Sequence, residues 1–114
     1  PTARLMALDH LVHSINDGAE PGLLYSPYIH FVDEYAKYRL GDKAPTAYFI
    51  GGGGFSLPRA WAHEYGAKAD LVVAEIDPGV TNIAAMAEAQ CPGASHCASG
   101  CACLFAVACC GTDI

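Results

Sequence analysis

TAYFIGGGGFSLPRAWAHEYGAKADLVVAEIDPGV, residues 46–80, is the stretch that decides the fold. Residues 47–50 form a short uncharged run of aromatic and β-branched side chains, which suits a strand covered on both faces. The run ends in four glycines, Gly51, Gly52, Gly53 and Gly54. Lacking Cβ, glycine lets the chain turn sharply and its backbone approach a ligand. Residues 57–65 read as a helix closed by Gly66, with Pro58 in its first turn, where a missing N–H costs nothing. The free N–H groups of that turn face whatever lies over the glycines. A second apolar run, residues 71–74, delivers Glu75 and Asp77. Strand, glycine turn, helix, strand and terminal acid make a βαβ unit suited to a nucleoside.

Glu75 falls about two dozen positions after the first glycine, close to the ~20 at which such folds place the acid that holds ribose hydroxyls. A carboxylate accepts two hydroxyl hydrogen bonds. Glu75→Ala is therefore expected to lose the ligand and leave the fold nearly intact. Asp77 is a second candidate, competing with a capping or turn role ahead of Pro78. Arg59 places a cation in a first helical turn, against the helix dipole. That points to an acidic partner or to a plain surface position.

Gly51-Gly52-Gly53-Gly54-Phe55-Ser56-Leu57-Pro58-Arg59 and Val73-Ala74-Glu75-Ile76-Asp77 resemble the first two motifs of the spermidine synthase-like proteins, a branch of the S-adenosylmethionine-dependent methyltransferase superfamily. The first family motif reads G-G-G-D-G-G-x-x-R-E and the second E-I-D. Gly51 to Gly53, Arg59 and Glu75-Ile76-Asp77 match. Gly54 stands at the aspartate position, Phe55 and Ser56 replace glycines, and Ala60 replaces the glutamate. Upstream, Leu8-Asp9-His10-Leu11-Val12-His13-Ser14 is similar to the family's L-D/N-G-x-x-Q segment, with His13 at the glutamine position. Tyr25 stands for the family tyrosine on the amine side, beside Ser26 where the family has histidine. The resemblance covers roughly residues 3–84. It implies an α/β fold: an N-terminal β-hairpin segment followed by the first half of a Rossmann-like methyltransferase fold. It further implies that Gly51, Gly52, Gly53, Glu75, Asp77 and His13 hold decarboxylated S-adenosylmethionine or S-adenosylmethionine. Tyr25 would face the amine, putrescine or another polyamine.

Around that centre, 114 residues make one domain or part of one. The expected division is a β segment over residues 1–25, the start of the nucleoside-binding domain over 26–90, and a cysteine-rich tail over 91–114. Hydrophobic content of 53% against 16% charged is enough for a packed core. A net charge of −6 argues against nucleic acid, whose phosphates need a basic face. No run approaches the ~20 apolar residues of a spanning helix, and no signal pattern appears. A soluble cytoplasmic protein, not bound to membrane and open to homo-oligomerisation, is the expectation.

Residues 4–15 place two apolar runs around Asp9-His10, a hairpin pattern with Asp9 as turn residue. His13 is either a site residue or a half-buried strand histidine. Residues 16–22 read as loop. Residues 26–40 read as a helix, with Ser26 as N-cap, Pro27 first and Gly41 just beyond the end. Tyr28, Phe31, Val32, Tyr35 and Tyr38 recur at helical spacing and read as core packing. Residues 80–89 read as a further helix.

The tail holds six cysteines, Cys91, Cys97, Cys101, Cys103, Cys109 and Cys110, with no charged side chain between Glu88 and Asp113. Their spacing does not give two clean pairs for zinc, and no metal is expected. A disulfide framework belongs to small secreted chains, and nothing marks this one as secreted. The favoured reading is a tail foreign to the family, as a shifted frame or truncation would give. The other is a native tail in which residues 104–108 add a third strand and Asp113 an acid at its end. The family's later acidic motif, which supplies the base for aminopropyl transfer, would fall beyond residue 114. The chain alone is thus expected to bind a nucleoside without turnover. A methyltransferase and a non-catalytic nucleoside-binding fragment are the alternatives.

Overall fold

The computed structural model describes residues 3–77, 79–80 and 105–109. The chain opens with an antiparallel hairpin, β1 (Ala3–Leu8) against β2 (Leu11–Asp17), closed with Leu8 opposite Leu11. Asp9 turns it at φ 55, in the left-handed region that aspartate tolerates. Met6 pairs with Ser14 and Ala7 with Val12, so His13 is the extra residue of a bulge. The second strand runs on to Asp17, two residues into the segment read as loop. The turn signals there begin one step later, at Asp17, whose Oδ1 accepts the N–H groups of Ala19 and Glu20 at 2.8 and 3.0 Å.

Helix α1 (Pro27–Leu40) starts and stops where expected. Ser26 occupies the cap through its carbonyl, which accepts from the N–H of Ile29 and of His30; its hydroxyl makes no capping bond. Gly41 ends the helix at φ 59, donating to the Lys37 carbonyl. Which face is buried reverses the expectation. Ile29, Asp33 and Ala36 face the interior, while Tyr28, Phe31, Val32, Tyr35 and Tyr38 are exposed. The physical reason is a polar anchor. Asp33 is buried and accepts the indole N–H of Trp61 at 2.7 Å. Lys37 closes on Asp33 at 3.0 Å and on Glu64 at 3.1 Å. Burial opposes the charge on Lys37, but hydrogen bonds to the two carboxylates outweigh it and hold its pKa above the usual lysine range.

The remaining elements are β3 (Thr46–Ile50), α2 (Ser56–Tyr65), a 3₁₀ turn (Gly66–Lys68), β4 (Asp70–Glu75) and β5 (Phe105–Cys109). The strands form a parallel sheet in the order β3-β4-β5, with Thr46 opposite Asp70, Leu71 opposite Phe105 and Glu75 opposite Cys109. The third strand therefore comes from the tail, one residue later than the native-tail reading placed it. Leu57, Ala60 and Trp61 of α2 pack with Leu71, Ala47 and Phe49 of the sheet; Val73 and Phe55 extend that side. On the other side Tyr48 and Ile50 are exposed. The fold is mixed α/β. Gly79 and Val80 are helical; the rest of the expected helix at residues 80–89, the cysteines other than Cys109, and Asp113 lie outside the described residues. Among the described residues, no helix is long and apolar enough to cross a membrane.

Candidate functional site

The glycines form a loop at the carboxyl end of β3. Gly51 and Gly53 have φ of 83 and 51, which only glycine adopts freely. The other two are limited by space. A Cβ on Gly52 would lie 2.6 Å from the Phe55 ring, and one on Gly54 would overlap the Ser14 side chain. Gly51 N–H donates to Ala74 at 2.8 Å and Phe55 N–H to Gly52 at 2.8 Å, so the loop is held against β4 and closed on itself. Phe55 enters α2 at φ 57, a costly conformation for a bulky residue. Its buried ring, packed with Val73 and Phe49, offsets that cost.

Over the loop lies a cavity of about 350 Å³, within the range of small-molecule sites. Gly51 to Gly54 line it with Ser56, Leu57 and Pro58 from the first turn of α2. His13 and Ser14 of β2 and Tyr28 and Val32 of α1 complete the wall. The structure thus brings Gly51, Gly52, Gly53 and His13 together around one space. Glu75, Asp77 and Tyr25 stand outside that lining.

Glu75 is 7% exposed at the end of β4. Its Oε2 accepts the Gly52 N–H at 2.7 Å and its Oε1 the Asp77 N–H at 3.0 Å. The Asp77 and Gly52 N–H groups hold its carboxyl below the usual carboxylate range, against the opposing effect of burial. Asp77 turns the chain: Oδ1 accepts the Gly79 N–H at 2.8 Å and its carbonyl the Val80 N–H at 3.1 Å. Tyr25 donates its hydroxyl to Asp17 Oδ2 at 3.0 Å, and that bond to a carboxylate raises the phenol pKa.

No family model, no curated protein and no solved structure matches the chain.

Four residues outside the expected set shape the loop. Asn16 Nδ2 donates to the Gly54 carbonyl at 2.6 Å, and the Ser56 hydroxyl donates to Asn16 Oδ1. Arg59 Nη2 donates to the Asp17 carbonyl at 2.8 Å, while its Nε is buried without a hydrogen-bond partner. That bond gives the cation in the first turn of α2 its role: it ties the helix to the hairpin. Asn16 and Asp17 looked like turn residues, and no local pattern reports that a strand end 38 positions upstream will meet the loop. Among the described residues, no group of three His, Cys, Asp or Glu is placed to hold a metal ion.

Proposed function

We propose that this chain carries the nucleoside-binding part of a spermidine synthase-like transferase, on the opening half of a Rossmann-like methyltransferase fold. Its ligand is decarboxylated S-adenosylmethionine, and its second substrate is an amine such as putrescine. The cavity over the glycine loop carries the reading: a parallel strand, left-handed glycines and the first turn of α2 meet there around enough space for a small molecule. The order β3-β4-β5 of parallel strands supports the fold. So does the backbone at Phe55, a glycine position in the family motif that here has φ 57.

His13, at the family glutamine position, lines the cavity, and Tyr28 adds an aromatic wall. An aromatic face attracts a sulfonium or ammonium cation, and a net charge of −6 favours a cationic substrate. Glu75 acts first on the loop, through Gly52. A ribose hydroxyl would share the Glu75 carboxylate with the backbone donors already on it. Asp77 orients the turn beyond it, and Tyr25 contributes through Asp17 to the hairpin edge of the site.

Calorimetric titration of the chain with decarboxylated S-adenosylmethionine, S-adenosylmethionine, methylthioadenosine and NAD tests this. The adenosyl sulfur compounds bind more tightly than NAD, and the decarboxylated form most tightly. Tighter binding of NAD than of any of them overturns the reading. A preference for the intact amino acid form moves it to methyl transfer.

A further inference from the structure

Among the described residues nothing covers the outer face of α1. Tyr28, Phe31, Tyr35 and Tyr38 are 56–83% exposed on it. Phe31 and Tyr35 stack with centroids 6.3 Å apart and planes 10° from parallel. Their spacing is symmetric along the helix. Tyr28 lies as far before Asp33 as Tyr38 lies after it, and Phe31 and Tyr35 flank Asp33 equally. Asp33 itself points the other way, to Trp61. A helix with this pattern matches an antiparallel copy of itself. Tyr28 meets Tyr38 and Phe31 meets Tyr35, each contact made twice about a two-fold axis. Arg39 falls on the same face by helical period. In that register it comes against the Tyr28 ring of the second copy, a cation–π arrangement.

The area suffices. With ~150–250 Å² per aromatic side chain, the exposed parts of these rings and Val32 come to about 600 Å² per copy. Pairing could bury up to about 1,200 Å² in total, the lower end of specific interfaces. The largest apolar patch of a typical monomer is ~300–600 Å² and often serves binding, and this face stands at the upper end of that range. We propose that a second copy of this chain docks on α1, antiparallel and two-fold, and that the pair walls the glycine-loop cavity. Tyr28 and Val32 belong both to the face and to the cavity lining. The mouth on that side is therefore open in one copy and closed in two. The pairing stands on α1 alone, whatever ligand the cavity takes.

Sedimentation of the chain at about 10–100 μM tests it, with Phe31→Lys and Tyr35→Glu made separately. The unsubstituted chain sediments at twice its 11.9 kDa mass. Each variant, with unchanged circular dichroism, dissociates at least about tenfold more readily. An equimolar mixture of the two variants recovers the dimer, because position 31 of one copy faces position 35 of the other. A monomeric unsubstituted chain overturns the proposal. So does a dimer indifferent to both substitutions, which would use another surface. Loss in both variants without recovery on mixing overturns the antiparallel register.

Discussion

At the residue scale the glycine loop is fixed by single atoms. Position 54 has no room for a methyl group because Ser14 occupies its space. Gly54→Ala is expected to cost about 1–3 kcal/mol, as overpacking does. Ser14→Gly in the same chain should return most of the loss, read as the urea midpoint. If the second change returns nothing, the clash is not the cause. Glu75 makes the companion case. Its carboxylate accepts two backbone N–H groups, so Glu75→Ala strands both and costs about 1–3 kcal/mol. The fold is therefore not left intact, as a pure ribose contact would have it. The folded pKa lies below the unfolded ~4.3. The extra stability is full above that value and is lost as pH falls through the folded pKa. Wild type should exceed Glu75→Gln in stability at pH 7, and the gap should close in acid. A gap that stays constant down to pH 3 would assign the effect to shape rather than charge.

At the element scale, the local units were legible. Strand, glycine loop, helix and strand follow from neighbouring residues, and β3, α2 and β4 fall within a residue or so of their expected bounds. The hairpin around Asp9 was equally local. The orientation of α1 was not. Helical period groups Tyr28, Phe31, Tyr35 and Tyr38 on one face but does not say which face turns inward. A buried carboxylate with an indole donor decided that, and its partner lies 28 residues away. Trp61→Phe keeps an aromatic side chain, though a smaller one, and leaves Asp33 without that donor. We expect a loss of about 1–3 kcal/mol in chemical unfolding. Tyr38→Ala, at 83% exposure, should stay within about 0.5 kcal/mol when measured at dilution. Reversed magnitudes would restore the aromatic stripe to the core. The candidate site was half legible for the same reason. Gly51 to Gly53 and His13 reach the cavity, while Asn16, Ser56 and Arg59 act through contacts between distant segments.

At the scale of the whole molecule, α2 covers one side of the sheet, with α1 packed on α2; among the described residues nothing lies on the other, where Ile50 is 89% exposed. The hairpin is not part of that sheet. It is joined to the rest through Asn16 and Asp17, at Gly54, Ser56 and Arg59. That joint makes the loop's order and the hairpin's attachment one equilibrium. Coupling of this kind is reciprocal: whatever steadies the loop must steady the hairpin by the same free energy. A molecule that fills the cavity should therefore slow amide hydrogen exchange along β2, at Ile15 and Asn16, although it need not touch either backbone. Unchanged exchange there under saturating ligand would show the two to be independent. If the coupling holds, a strand some forty positions upstream reports whether the glycine loop is occupied.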